Sequence, residues 1–132
     1  MSGVLVDSNI ILDLLTQDPN WYSWSAEALE ESGEASTLVI NPIIYTEIAP
    51  SFTRIEDLDA AMSVFRRDPL PWDAAFLAGQ CFAKYRRLGG QKRSPLPDFY
   101  IGAHAAVAGM SLLTRDASRY RTYFPGLALI AP

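Results

Sequence analysis

Three acidic residues lie in stretches that hold almost no other charge, and together with Asp116 they are the side chains best suited to chemistry. Asp7 is the only charged residue among the first twelve. Glu47 is the only one in residues 37–53, and Asp98 lies in a similarly uncharged stretch. A solvated helix face normally carries charges of both signs, so a solitary acid in apolar sequence needs a cap, an ion pair or a metal. Together with Asp116 in TRDASRY, these acids predict one shared cation.

The chemical type of these side chains indicates which cation is expected. Carboxylates without accompanying pairs of histidine or cysteine are hard oxygen ligands, which favour Mg²⁺ or Mn²⁺ over zinc. His104 is six residues past Asp98, about 240° round a helix, so we expect a packed or hydrogen-bonded histidine rather than a ligand. Several further acids are predicted to begin helices or to lie on solvated faces, and not to be ligands: Asp13, Glu56, Asp57, Asp59 and Asp73.

Each of the four acids also has a purely structural explanation. Asp7 would cap the helix that follows it, and Asp98, after Pro97, would favour the positive end of its own helix. Asp116 would pair with a neighbouring arginine or form an Asx turn. Glu47 is harder to explain in this way, because it lies inside a short helix where capping is impossible. The joint occurrence of all four favours a metal site.

The elements that must position these acids alternate between strand and helix. Apolar runs predict strands at residues 4–6, 37–40, 111–114 and 127–130. Such short apolar strands, separated by helices, predict a parallel sheet covered on both faces, a three-layer α/β sandwich. Helices are predicted at residues 8–15, 21–32 with Gly33 as the end, 42–49 with Asn41 as cap and Pro50 as stop, 55–65, 77–88 and 97–107, and residues 115–126 are predicted to be irregular.

Ligands of parallel sheets gather at the carboxyl ends of the strands. Asp7 follows the first predicted strand, Asn41 follows the second, and Asp116 follows the strand SLLT. All three segments should therefore open onto one edge of the sheet, and this edge is the predicted location of the site.

The composition is that of a single domain in a reducing compartment. With 132 residues and 49% hydrophobic content, the chain can build one core, and we predict one domain over residues 1–132. Cys81 is the only cysteine, and its apolar helical setting predicts a packing role. No leader-like segment is found, and no apolar stretch reaches the roughly 18 residues of a membrane span. We therefore expect a cytoplasmic protein without membrane attachment.

Charge is distributed unevenly along the chain, although the net charge is −4. Residues 1–65 hold eleven acids and a single base, whereas residues 66–132 hold ten bases and four acids. Half of these bases lie in KYRRLGGQKR, residues 84–93, a density that suits contacts to phosphate. A solvated helix end, whose dipole the cations complement, explains the same segment equally well.

Four segments, in this order, resemble those of a known family: VLVDSNIILDLL, NPIIYTEI, PLPDFYIGAHAA and LLTRDASRY. They are similar to the PIN-domain nucleases, specifically the VapC-type toxins of bacterial toxin–antitoxin pairs, over essentially the whole chain. The resemblance implies a sheet of order 3-2-1-4-5 with an acidic pocket at its carboxyl edge. It also implies catalytic and metal-binding roles for Asp7, Glu47, Asp98 and Asp116, with supporting polar residues at Ser8, Asn9 and Thr114.

The expected activity is metal-dependent cleavage of RNA by an endoribonuclease. Clustered carboxylates repel one another, and Mg²⁺ or Mn²⁺ relieves the repulsion while leaving positions for water and for a phosphate oxygen. Products with a 5′-phosphate are expected from the resemblance. Single-stranded segments of RNA are the expected substrate, and the residues expected to bind their phosphates are Lys84, Arg86, Arg87, Lys92 and Arg93.

Two other classes of function remain open. A catalytically degenerate PIN-like module would bind RNA or protein without turnover, although the presence of all four acids argues against it. A phospho-receiver domain also gathers acids at the edge of a parallel sheet. It needs a second acid near Asp7 and a late lysine, however, and no lysine follows Arg93.

An aromatic cluster at the start of the second helix predicts a protein partner. Trp21, Tyr22 and Trp24 lie within four residues, which is more aromatic surface than one short helix readily buries. Aromatic anchors are typical of interfaces, although a role in capping the core is as good an explanation for each alone. The resemblance implies a homodimer inhibited by a cognate antitoxin, and we expect Trp21 or Trp24 at the antitoxin contact.

Overall fold

Five short parallel strands form the central sheet of the computed structural model, which describes residues 3–132. Their spatial order is β3-β2-β1-β4-β5, as predicted. Leu5, in the middle strand, pairs with Val39 on one side and Leu112 on the other. The strands are β1 (Val4–Val6), β2 (Leu38–Ile40), β3 (Arg66–Arg67), β4 (Ser111–Leu113) and β5 (Leu129–Ile130).

Seven α-helices connect the strands, and local signals explain several of their ends. The side chain of Asn41 accepts a hydrogen bond from the Ile44 amide, and Pro42 takes the first turn of the helix that follows. Gly109 ends a later helix in the left-handed conformation, with φ of 68°. The helices are α1 (Ser8–Leu15), α2 (Tyr22–Ala35), α3 (Pro42–Ile48), α4 (Ile55–Ala61), α5 (Trp72–Arg87), α6 (Pro97–Ala108) and α7 (Ser118–Tyr123), and a 3-10 turn covers Ala49–Ser51.

The core surrounds the middle strand. All three residues of β1 are buried although successive side chains point to opposite faces, so helices cover the sheet on both sides. Phe99 and Ile101 of α6 are fully buried, and α6 packs along α5. Cys81 is buried in the same cluster, in agreement with its predicted packing role. No helix within residues 3–132 is long and apolar enough to cross a membrane.

Several local predictions were wrong. The predicted helix 55–65 ends at Ala61, and the predicted helix 77–88 begins earlier, at Trp72. Helix α2 continues through Gly33 to Ala35 and ends at the extended Ser36, so Gly33 does not terminate it. Strand β3 was missed because it consists of two exposed arginines, which give no apolar signal. Residues 118–123 form a helix rather than an irregular segment, because buried Tyr120 and Phe124 anchor this stretch to the core.

Candidate metal centre at the carboxyl edge of the sheet

Asp7 lies where the two central strands end. Its amide donates to the Leu113 carbonyl oxygen at 2.9 Å, which continues the pairing of β1 with β4 by one residue. The side chain is therefore held at the carboxyl edge of the sheet, and only 3% of Asp7 is exposed. Asp7 is also the cap of α1, since its Oδ1 accepts from the Ser8 amide at 2.8 Å.

The second oxygen of the Asp7 carboxylate collects three further donors. Thr114 Oγ1 and Tyr120 Oη both donate to Oδ2 at 2.9 Å, and Asn9 Nδ2 lies 3.4 Å from it. Burial nevertheless raises the pKa of Asp7 to about 6, because the hydrogen bonds from Thr114 and Tyr120 only partly offset the loss of solvation. A helix cap at the surface would not need this many buried donors.

Asp98, near the start of α6, approaches Asp7 through a shared partner. The hydroxyl of Tyr120 lies 2.9 Å from Asp7 and 3.3 Å from Asp98, so one phenol connects the two carboxylates. Burial raises the pKa of Asp98, and the charge of Arg119, whose Nη1 lies 3.3 Å from Oδ2, opposes that rise. The pKa of Tyr120 is raised well above its ordinary value by burial and by both carboxylates, so its hydroxyl remains a donor.

Glu47 is brought to the same edge by α3. Ser8 Oγ donates to Glu47 Oε1 at 2.8 Å, which joins the helix after β1 to the helix after β2. Burial raises the pKa of Glu47, and the negative charge of Asp98 raises it further. The charges of Asp98 and Glu47 also raise the pKa of Asp7. These three acids thus form one electrostatically coupled group.

Asp116 lies beside this group rather than inside it. It is exposed, its amide donates to Thr114 Oγ1 at 3.2 Å, and its charge contributes to the raised pKa of Asp98. Asp98 and Asp116 line one cavity, of about 310 Å³, at the surface. The structure therefore groups Asp7, Glu47 and Asp98, with Asp116 at the rim next to Asp98.

The donor set fits a hard divalent cation. All four predicted ligands offer carboxylate oxygens, the ligand type that Mg²⁺ and Mn²⁺ prefer. Burial is the largest cause of the raised pKa values of Asp7, Glu47 and Asp98, and the charge of a neighbouring acid adds to each rise, so a cation at this edge would be stabilising. Within residues 3–132, no three His, Cys, Asp or Glu side chains already stand in the arrangement that holds a metal ion. The carboxylates instead accept hydrogen bonds from hydroxyl groups and from Arg119.

A family model described as PIN domain matches residues 4–125. The chain belongs to the PIN-domain family. PIN domains are generally nucleases. No curated protein matches the chain.

Several solved structures share the fold of this PIN domain. VapBC2 from Rickettsia felis, bound to a promoter DNA fragment, contains a chain with 17% identity and a TM-score of 0.73, and the match covers 98% of each chain. A chain of DNA-bound VapBC from Salmonella typhimurium has 20% identity and a TM-score of 0.72, and the match covers 99% of this chain and 98% of that one. A chain of a toxin–antitoxin complex from Klebsiella pneumoniae has 22% identity and a TM-score of 0.65, and the match covers 97% of this chain and 96% of that one. These likenesses concern the fold.

His104 of this PIN domain is packed and hydrogen-bonded, as predicted. It is 2% exposed, and its Nδ1 lies 3.0 Å from Nδ2 of buried Asn41. Burial lowers the pKa of His104, which favours the neutral ring. The amide of Asn41 therefore donates to Nδ1, while its oxygen caps α3. This pair stabilises the helix that presents Glu47.

The prediction that Asp13 lies at a helix start or on a solvated face was wrong. Asp13 is 2% exposed, and its Oδ2 accepts from Ser25 Oγ at 2.7 Å and from Arg115 Nε at 2.8 Å. Its position inside amphipathic α1 did not distinguish a buried acid from an exposed one. Tyr120 was also missed, because the stretch that contains it was predicted to be irregular.

The basic segment lies at the end of α5 and in the following loop, and its five bases are exposed. Arg86 Nη1 donates to the Lys92 carbonyl oxygen at 2.8 Å, which holds the loop against the helix end. The ammonium of Lys84 lies 5.6 Å from the centre of the Tyr123 ring. Tyr123 lines the cavity beside Asp98, so this part of the segment borders the carboxylates.

The tryptophans predicted to bind a partner are partly buried. Trp21 and Trp24 meet edge to face at 6.3 Å, and the guanidinium of Arg115 lies 5.4 Å from the centre of the Trp21 ring. More aromatic surface is exposed on α5, where Trp72 is 91% exposed and Phe76, one turn later, is 70% exposed. Trp72 and Phe76 were not among the predicted interface residues.

Proposed function

We propose that this protein is a metal-dependent endoribonuclease and the toxin of a toxin–antitoxin pair. The observation that carries the proposal is the shared Tyr120 hydroxyl, which joins the carboxylates of Asp7 and Asp98 at the carboxyl edge of a PIN domain. Two carboxylates held beside one hydroxyl repel each other, and a bound cation would offset this repulsion. Glu47 and Asp116 complete the set of four acids.

In this proposal Asp7, Glu47, Asp98 and Asp116 hold Mg²⁺ or Mn²⁺. The bound ion would lower the pKa of a water molecule and stabilise charge on the phosphate. Polar residues of the chain orient the carboxylates: Ser8 donates to Glu47, and Thr114 and Tyr120 donate to Asp7. Asn9 connects Asp7 to Thr114 through its amide nitrogen, at 3.4 and 3.2 Å. Preorganised ligands of this kind reduce the cost of ordering the site.

The proposed substrate is single-stranded RNA. Lys84, at the end of α5, lies over the ring of Tyr123, which lines the cavity next to Asp98 and Asp116. The charge of Lys84 and of the other exposed bases in this segment would attract the phosphate backbone. The acids themselves would repel it, so the basic side chains and the cation must act together. The proposed phosphate contacts are Lys84, Arg86, Arg87, Lys92 and Arg93.

The proposed partner is a cognate antitoxin. The similar solved chains come from two structures named as VapBC and from one named as a toxin–antitoxin complex. Here Trp24, Glu27, Glu31 and Ile130 line a cavity of about 240 Å³ on α2. Its aromatic and acidic lining suits a partner segment that carries apolar and basic side chains.

We also propose that the protein forms a homodimer. Trp72 and Phe76 form an exposed aromatic pair on one face of α5, and exposed large aromatic side chains that lie together are typical of protein interfaces. Light scattering at micromolar concentration tests this: a dimer is expected, and a monomer would contradict the proposal.

Incubation of the purified protein with a total RNA pool, in Mg²⁺ or in EDTA, tests the nuclease proposal. We expect cleavage in Mg²⁺ only, with 5′-phosphate ends, and no cleavage by Asp98→Asn at equal concentration. Cleavage by Asp98→Asn equal to that of the parent would contradict the site assignment. RNA binding without cleavage by the parent would instead identify a catalytically degenerate binding module.

A further inference from the structure

A cavity of about 310 Å³ adjoins the proposed metal centre on the side of α6 and α7. Asp98 and Asp116 form one part of its lining, so whatever occupies it lies next to the proposed site of hydrolysis. The volume is at the small end of the range for ligand sites, which is about 300 Å³. The other lining residues are Tyr85, Ser118, Arg119, Thr122 and Tyr123.

Two tyrosine rings in this lining, those of Tyr85 and Tyr123, pack against the buried ring of Phe99. Phe99 is fully buried and meets Tyr85 edge to face at 5.7 Å and Tyr123 at 5.0 Å. Tyr85 is also stacked on Phe82, at 6.2 Å. Both tyrosines are partly exposed, so each ring offers surface to the cavity while its position is set by the core. Rigid aromatic surfaces of this kind bind nucleobases by stacking, whichever base is presented.

The charges around the cavity suit one nucleotide unit. Lys84, whose ammonium lies 5.6 Å from the centre of the Tyr123 ring, belongs to the basic segment and can meet a phosphate. Asp98 and Asp116 in the lining disfavour an isolated anion inside the cavity, and Arg119, the one base in the lining, already pairs with Asp98 at 3.3 Å. A neutral base avoids the repulsion by the acids, and the hydroxyls of Ser118 and Thr122 offer hydrogen-bonding groups to its edge.

We propose that this cavity is a nucleobase subsite, in which one base of the single-stranded RNA next to the cleaved phosphate stacks on Tyr123. The proposal rests on the proposed nuclease function and adds to it the part of the substrate that the chain recognises. It makes Tyr123 a residue that positions the substrate, in contact with the base and not with the reacting phosphate.

Fluorescence of 2-aminopurine, whose emission falls on stacking, tests the subsite without cleavage. Single-stranded RNA oligonucleotides carry this base at successive positions, and binding is measured in EDTA. For the parent we expect quenching at one position. Tyr123→Leu should abolish the quenching and weaken binding about tenfold, whereas Tyr123→Phe should preserve both. Equal quenching by the parent and Tyr123→Leu would overturn the subsite, as would no quenching by the parent at any position.

Two further variants separate stacking from folding. Ser118→Leu fills the cavity from an exposed position and leaves the Phe99 contact intact, so it should also abolish the quenching. Tyr22→Leu changes a tyrosine on α2 that is 43% exposed, outside the cavity lining, and should leave quenching unchanged. Quenching that survives Ser118→Leu would contradict the subsite.

Cleavage in Mg²⁺ provides a second measurement on the same oligonucleotides. Removing the base at the quenched position should lower kcat/KM of the parent about tenfold and leave that of Tyr123→Leu unchanged, because the variant makes no stacking contact. If the parent cleaves RNA, but removal of the base lowers kcat/KM equally for the parent and for Tyr123→Leu, the subsite is contradicted and the nuclease proposal is not. A parent that quenches but does not cleave in Mg²⁺ would contradict the nuclease proposal and leave the base-binding subsite supported.

Discussion

Arg115 and Asp13 form a partly buried ion pair between residues 102 positions apart in the sequence, with Arg115 Nε 2.8 Å from Asp13 Oδ2. The pair joins α1, which Asp7 caps, to the loop that contains Asp116. The Arg115 amide also donates to Asn9 Oδ1 at 3.3 Å, so both the backbone and the side chain of Arg115 are attached to α1. The loop after β4 is thereby held next to the carboxylates.

Replacing Arg115 should lower the free energy of unfolding more than replacing Asp13. Arg115→Leu leaves the carboxylate of Asp13 buried with only Ser25 as donor, and should lower the free energy of unfolding by about 3 kcal/mol. Asp13→Asn leaves an arginine whose side chain is 29% exposed and can turn to water. This variant should therefore lower the free energy of unfolding by only about 1 kcal/mol. Urea unfolding measures both, and equal losses would contradict this account of the pair.

The metal-free protein should lose stability as the pH rises from about 4 to about 6. Asp7 has a pKa of about 6 when folded, against 3.8 without burial, so between these values the folded protein retains a proton that the unfolded chain releases. The difference corresponds to about 3 kcal/mol above this window. Asp7→Asn removes this cost, so in EDTA the variant should lose less stability across the window and be more stable than the parent at pH 8.

Chemical unfolding in EDTA at several pH values measures this prediction, and Glu30→Gln, at an exposed position on α2, is its control. The control should follow the parent throughout. Addition of Mg²⁺ should stabilise the parent and not Asp7→Asn, because the variant lacks a charged ligand. A decline with pH in Asp7→Asn as steep as in the parent would show that burial of Asp7 is not its cause.

Tyr120→Phe should destabilise the protein more at pH 8 than at pH 5. The variant keeps the buried ring but removes the hydroxyl that donates to Asp7 and approaches Asp98. At pH 8 the charged carboxylate of Asp7 loses this donor, at a cost of about 1 to 3 kcal/mol, and Asp98 loses a polar neighbour 3.3 Å away. At pH 5 a protonated Asp7 can itself donate to a neighbour, so the loss should be smaller. Thermal unfolding in EDTA measures both, and an equal loss would contradict the bridging role.

Replacement of four bases by glutamine should weaken RNA binding and reduce its dependence on salt. The variant combines Arg86→Gln, Arg87→Gln, Lys92→Gln and Arg93→Gln. Each lost phosphate contact should lower the slope of log affinity against log salt by roughly 0.7 for a single strand. Arg66→Gln, on β3, is the control, since it pairs with Asp68 at 2.9 Å. Equal slopes for the variant and the parent would identify the segment as a solvated helix end.

Trp21→Ala combined with Trp24→Ala should weaken binding of the cognate antitoxin about tenfold or more. Trp24 lines the cavity on α2, and the ring of Trp21 contacts the ring of Trp24 edge to face. Trp72→Ala, on α5, is the matched control and should retain antitoxin affinity. Isothermal calorimetry measures the affinities, and thermal unfolding verifies that the double variant is folded. Full affinity of the double variant would contradict the aromatic contact and leave the nuclease proposal unaffected.

Much of the architecture could be predicted because it depends on neighbouring residues. Apolar strands separated by helical spacing indicated a parallel sheet, and Asn41 with Pro42 indicated the start of α3. The strand order came from the family resemblance and is confirmed. Strand β3 escaped prediction because its two arginines pair through backbone groups, which any residue type provides.

The sequence by itself determined that Asp7, Glu47 and Asp98 lie in apolar stretches and that Asp7 and Asp116 follow strands of one sheet, because hydrophobic patterning and chain order can be read from neighbouring residues. Only the tertiary structure decided which donors meet them. Tyr120 reaches Asp7 across 113 positions, and Arg115 reaches Asp13 across 102. Local periodicity distinguishes an apolar face from a polar one, but it does not predict hydrogen bonds between segments that are distant in the sequence. The charge state of Asp7 depends on that packing, because desolvation and hydrogen bonds act only once the helices close over the sheet edge.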